Sequence, residues 1–180
     1  LEDLSGNIWV GTHANGLFVL SPDLSLLHHF PDEQRDVRFI RDLAMGPDQR
    51  VWATSLSGVI RFRQILEEPA VTAGPVEQVF DATSGLPSWD TSALLVDPRG
   101  SIVVGTSAGL GELTRNPDGT WQARSLWDVD QGWSGGIVST LARDVAGNLW
   151  AGSLSRGAFK RVNSGIVHYP QIERDGGTVV

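Results

Sequence analysis

The sequence predicts an all-β protein built of β-propeller blades, about four blades of four antiparallel strands each, forming an arc or fragment of a larger propeller. Three observations carry this. A tryptophan-centred unit recurs as GNIWVGT (residues 6–12), QRVWATS (49–55), GSIVVGT (100–106) and GNLWAGS (147–153). The central positions Trp9, Trp52, Val103 and Trp150 stand 43, 51 and 47 residues apart, a period that fits propeller blades rather than helical solenoids. Apolar spacing of three and four is sustained nowhere, and Gly or Pro interrupts every run long enough for a helix.

Each unit extends in both directions. Six residues before the central position stand Asp3, Gly46, Asp97 and Asp144; three before it stand Gly6, Gln49, Gly100 and Gly147. Asp opening a four-residue turn and Gly closing it in the left-handed region suit a type I turn between a first and a second strand. The first strands are placed at 37–44, 92–96 and 137–142. The second strands are apolar on both faces, as strands sandwiched between blades must be. A loop ending at Gly16, Gly58, Gly109 or Gly157 then opens a third strand, and a fourth ends in an aromatic at Phe30, Phe80, Trp127 and Tyr169. The resulting blade units span roughly 1–36, 37–91, 92–135 and 136–175, with 176–180 starting a further strand. A helical turn is allowed only near residues 63–67, in the long connection of the second unit. The chain opens inside a repeat, and Val179-Val180 align with the start of a first strand, so a slice of a longer protein is expected.

Composition narrows the function classes. Cysteine is absent, which excludes disulfides, thiolate metal sites and Cys nucleophiles. A net charge of −7 argues against nucleic acid and anionic membranes as main partners. No apolar run approaches the length of a membrane span.

The run D-x-x-G-N-L-W-x-G-T/S followed by G-L resembles the two-component regulator propeller repeats. It is clearest at residues 3–20 and 144–159, with a G-L-P segment at Gly85-Leu86-Pro87 weakly echoed by Gly132-Trp133. The second unit lacks the Gly-Asn pair and the third has Val103 for Trp. The resemblance implies a sensor rather than a catalyst: the periplasmic or extracytoplasmic propeller of a membrane-anchored, dimeric receptor, a hybrid histidine kinase or a diguanylate cyclase. It implies no cofactor. Its partners would be an extracellular oligosaccharide or peptide and the neighbouring blades of the parent chain.

Candidate site residues follow from blade geometry. Variable loops on one rigid face, the second-to-third-strand loops and the blade connections, are where propellers carry function. Here these supply His13, Asn15, Arg156, Asp130, Trp133, Trp89 and Asp90, with Asp36 and several serines nearby. Trp89 and Trp133 each lie close to a carboxylate, a pairing suited to stacking on a sugar or peptide and hydrogen bonding to it. The plainer reading is that both rings cover blade ends. The repeated Asp and central Trp positions read as turn formation and interblade packing, not as a metal ring or a stacking platform. His28 and His29 point to opposite faces of one strand and cannot share an ion. No catalytic residue and no metal ligand set is assigned. Two alternative functions stand beside the sensor: a propeller lyase of the streptogramin-inactivating type, for which only His13 is suitably placed, and a scaffolding propeller without a small ligand.

Overall fold

The computed structural model describes residues 1–31, 37–63, 76–162 and 165–170. Strands β1 (Ile8–Gly11), β2 (Leu17–Leu20) and β3 (Leu26–Phe30) form the first sheet. The second holds β4 (Asp42–Met45), β5 (Val51–Ser55), β6 (Gly58–Phe62) and β7 (Val76–Phe80). The third holds β8 (Thr91–Val96), β9 (Ile102–Thr106), β10 (Gly109–Arg115) and β11 (Trp121–Asp128). The fourth holds β12 (Val138–Arg143), β13 (Leu149–Ser153), β14 (Gly157–Val162) and β15 (Gly165–Tyr169). Every sheet is an antiparallel meander in sequence order. In the first, the innermost strand is reduced to the bridge between Glu2 and Ile8. Among the described residues, the named helical elements are two single 3-10 turns, Ala82–Ser84 and Val129–Gln131. The helical turn expected at residues 63–67 lies almost wholly outside the described residues.

The chain is therefore all-β, a stack of four blades forming a propeller segment. Each junction between blades is a separate core. Trp9, Leu17 and Val19 of blade 1 meet Val51, Ala53, Ile60 and Phe62 of blade 2. Trp52, Val59 and Phe80 then meet Ile102, Val104, Leu113 and Trp121. Val103, Leu110 and Trp127 meet Leu149, Ala151 and Phe159. Alternate residues of one strand thus enter two different cores, which is why the second strands read as continuous apolar runs.

The repeated motif has a physical reason at each place. In the first blade Asp3 accepts from the backbone N–H of Ser5 and Asn7 at 2.9 Å and from the Trp9 indole at 2.8 Å. Asp144 makes the same clamp on Asn148 and on Trp150, whose indole donates at 3.0 Å. The motif glycine two residues after the centre lets the next blade approach: a Cβ on Gly11 would lie 2.2 Å from Ile40 of the following connection, and one on Gly105 2.6 Å from Val138 of β12. The hydroxyl that follows closes the hairpin, with Thr12, Ser55 and Thr106 donating to the carbonyls of Gly16, Gly58 and Gly109 at 2.8–3.0 Å.

Where the motif departs, the contacts move. A Cβ on Gly46 would lie 2.2 Å from the Trp52 indole nitrogen, so no Asp fits there. Asp48 replaces it, accepting from Trp52 at 3.0 Å and from Arg61 at 2.6 Å. Gln49 closes that turn in the left-handed region, with φ 61°. In blade 3 there is no indole to clamp. Asp97, buried, instead pairs with Arg143 of blade 4.

Two expectations need correction. The first strand of blade 2 does not begin at Val37. Residues 37–40 are connection, with Phe39 in the left-handed region at φ 52°. Nor is every central Trp buried: Trp9 and Trp52 are, but Trp150 keeps part of its surface, since no blade packs beyond it among the described residues.

Candidate functional site

Strand order puts the second-to-third-strand loops and the blade connections at one end of the stack, and the Asp-opened turns at the other. The expected loop face is therefore real as a place, and its residues can be located one by one.

Trp89 is 52% exposed. Its neighbours hold it in position. Ser88 and Ser107 share a hydroxyl–hydroxyl hydrogen bond of 2.8 Å, and Ser107 N–H donates to the Asp90 carbonyl at 2.9 Å. The Asp90 carboxylate is paired with Arg41, which also donates to the Thr91 carbonyl at 3.2 Å. Arg41 belongs to the preceding blade connection, so this ion pair ties two connections together across a blade.

His13 is exposed, with its ring edge-on to Phe39 at 4.5 Å between centroids. Arg38 lies over the same Phe39 ring, 5.4 Å from its centre. Phe39 carries no special mark in the sequence. Its positive φ is costly for a bulky residue and is the kind of local strain that gathers at functional sites. Asn15 is exposed and fixes the hairpin, its N–H donating to Thr12 Oγ1 at 2.9 Å and its carbonyl accepting from His29 Nε2, also at 2.9 Å. Asp36 lies outside the described residues.

Arg156 and Asp130 are exposed. Arg156 N–H donates to Ser153 Oγ at 3.1 Å, and its carbonyl accepts from His168 Nε2 at 2.8 Å. His29 and His168 are thus counterparts: each stacks on the third strand of its blade, on Phe18 and Phe159, at 4.2 Å. This outer-strand device was invisible as a motif, because blades 2 and 3 put Val79 and Ser125 at the paired position. Asp130 sits in the 3-10 turn capped by Asp128, whose carboxyl is held below its usual range by the Ser125 hydroxyl and the turn N–H groups.

Trp133 is not on this surface. Only 3% exposed, it packs edge-on to Trp127 at 4.7 Å and against Phe159 at 4.6 Å, and its indole donates to the Gly136 carbonyl at 2.9 Å. Its backbone N–H reaches the Asp128 carbonyl just as that of Leu86 reaches Asp81. Trp133 is therefore the blade-4 counterpart of Leu86, a plug at a blade junction. The echo of Gly85-Leu86 in Gly132-Trp133 contained that answer. The ring is unavailable for stacking on a ligand.

The structure brings Trp89 with Asp90 and Arg41, and His13 with Phe39 and Arg38. Asp130 and Arg156 stand toward the far blade, and among the described residues no hydrogen bond or ion pair joins them to either group. Among the described residues no three His, Asp or Glu side chains are grouped to hold a metal ion.

No family model and no curated protein matches this chain. Solved structures do. The extracellular domain of a protein assigned to the hybrid two-component systems of B. thetaiotaomicron superposes with a TM-score of 0.71 at 22% identity, over 94% of this chain and 22% of that one. A second such domain from the same organism gives 0.69 at 16% identity, over 99% and 22%. Virginiamycin B lyase of Staphylococcus aureus, in a structure with quinupristin, gives 0.64 at 16% identity, over 95% and 54%. The chain thus spans about a fifth of the first two and about half of the third. At these identities the likeness is one of fold.

Proposed function

We propose that this chain is a sensing segment of an extracytoplasmic propeller in a bacterial two-component-type receptor, itself non-catalytic, binding an oligosaccharide or peptide on its loop face. The observation that carries the reading is Trp89: a large exposed ring on a backbone held by hydrogen bonds, next to the Asp90–Arg41 pair. A rigid aromatic beside a fixed polar pair is what recognition of a sugar or peptide requires, since little entropy is lost on binding. The likeness to two extracellular receptor domains supports the setting. His13 fits the lyase reading poorly, because its ring contact is Phe39 and not a carboxylate.

The test is a signalling reporter driven by the full receptor. Trp89→Ala and Phe39→Ala should abolish the response to the inducing oligosaccharide or peptide while expression and melting temperature hold. A full response in both variants would favour the scaffolding function instead.

A further inference from the structure

At the opposite end of the blades, a groove of about 460 Å³ opens between blades 3 and 4. Arg99, Arg124, Arg143 and Arg161 line it. The blade 1–2 groove, by contrast, is about 150 Å³ and is lined by Asp3 and Asp48 together with Arg50 and Arg63. In a chain of net charge −7, four guanidiniums at one junction are a local reversal of sign.

Their carboxylate partners are two. Arg143 pairs with Asp97 and donates to the Gly147 carbonyl at 2.9 Å. Arg124 pairs with Glu112, its Nε donating at 2.9 Å. Among the described residues Arg99 and Arg161 have no side-chain partner. Four cations against two anions leave the groove positive by two. The two paired guanidiniums are held in place, yet each has five N–H donors and spends only two. Blade 3 departs from the motif here: with Val103 at the centre, Asp97 clamps no indole and anchors Arg143 of the next blade.

We infer that this groove is an oxyanion site, taking a small polar ligand that carries a carboxylate or sulfate group. Planar guanidinium forks match both groups geometrically, and preorganised arginines bind them with charge-assisted hydrogen bonds. The volume falls in the range of small-molecule pockets, roughly 300–1,000 Å³, and so favours a ligand of one or two sugar-sized units over a protein surface. The site lies at the far end of the blades from Trp89, and both blades that form it are present in this chain. It therefore stands whether or not the loop face binds a ligand.

The experiment titrates the 180-residue chain with D-glucuronate, with inorganic sulfate and with D-glucose as a neutral control, following arginine side-chain resonances by NMR. Glucuronate or sulfate should saturate, glucose should not, and added chloride should weaken the binding. The double variant Arg99→Ala/Arg161→Ala, which breaks no ion pair, should bind about tenfold more weakly or worse. Its melting temperature should be unchanged. Tighter glucuronate binding assigns carboxylates as the ligand group, and tighter sulfate binding assigns sulfate esters. No saturation by either anion, equal binding of glucose, or unchanged binding by the double variant would overturn the site.

Discussion

Trp52 and Trp150 occupy the same position of the same strand in different blades, and each donates its indole N–H to an Asp of the preceding turn. Trp52 has no exposed surface, lying against Phe80 and edge-on to Trp121 of the next blade. Trp150 is only half-buried, with Tyr169 stacked on it at 5.2 Å and Lys160 4.9 Å from its ring centre. The other end of the stack repeats the contrast. Ile8 and Val10 flank Trp9 as Val51 and Ala53 flank Trp52, yet Val10 is 40% exposed where Ala53 is wholly buried. The motif builds the strand and the clamp; the neighbouring blade supplies most of the burial energy.

The largest effect expected follows from this. Trp52→Ala empties the centre of a junction and should cost about 3–5 kcal/mol, enough to unfold a domain of ordinary stability. Trp150→Ala removes a ring already partly in water and should cost about 1–2 kcal/mol. Urea titrations of the two variants measure the gap, and equal losses would break the comparison.

Next in size is a second pair. Trp133→Ala should cost about 3 kcal/mol, since the ring fills the junction of Trp127 and Phe159. Trp89→Ala, on the same kind of connection but exposed, should stay within about 0.5 kcal/mol. Thermal melts of both variants decide whether the two loop tryptophans differ as sharply as their burial does.

A smaller effect concerns the clamps. At Asp3 and Asp48 partial burial pushes the carboxyl pKa up, but hydrogen bonds from the indoles and their neighbours outweigh it and leave both below the ordinary value. At Asp144 the Trp150 indole and Asn148 hold the carboxyl far below it. Groups with a folded pKa below the unfolded value stabilise above about pH 4 and lose that contribution as pH falls through the folded pKa. Melting temperature should therefore drop as pH falls from about 4 toward 2. The drop should be shallower in the triple variant Asp3→Asn/Asp48→Asn/Asp144→Asn. Parallel curves would show that the clamps do not act as charges.

A modest effect should come from the stacked histidines. His29→Ala removes an exposed ring that covers Phe18 and donates to the Asn15 carbonyl, a loss of about 0.5–1 kcal/mol. A denaturant titration with no measurable loss would make His29 and His168 surface decoration.

Much of this protein was decided within a dozen residues of each motif, and that part was legible in the sequence. The Asp-opened turns, the left-handed glycines at 6, 100 and 147, the hairpin hydroxyls and the strand order all depend on neighbours along the chain. Local hydrogen bonds and backbone dihedrals need no distant partner. What only the tertiary structure decided involves residues some 25–50 positions apart, brought together by the packing of blade on blade. The burial of Trp133 against the exposure of Trp89, the Arg41–Asp90 and Asp97–Arg143 pairs, the strained Phe39 under His13 and the four converging arginines are of this kind. Two aromatics in similar loops read alike, because burial is a property of the space around a side chain.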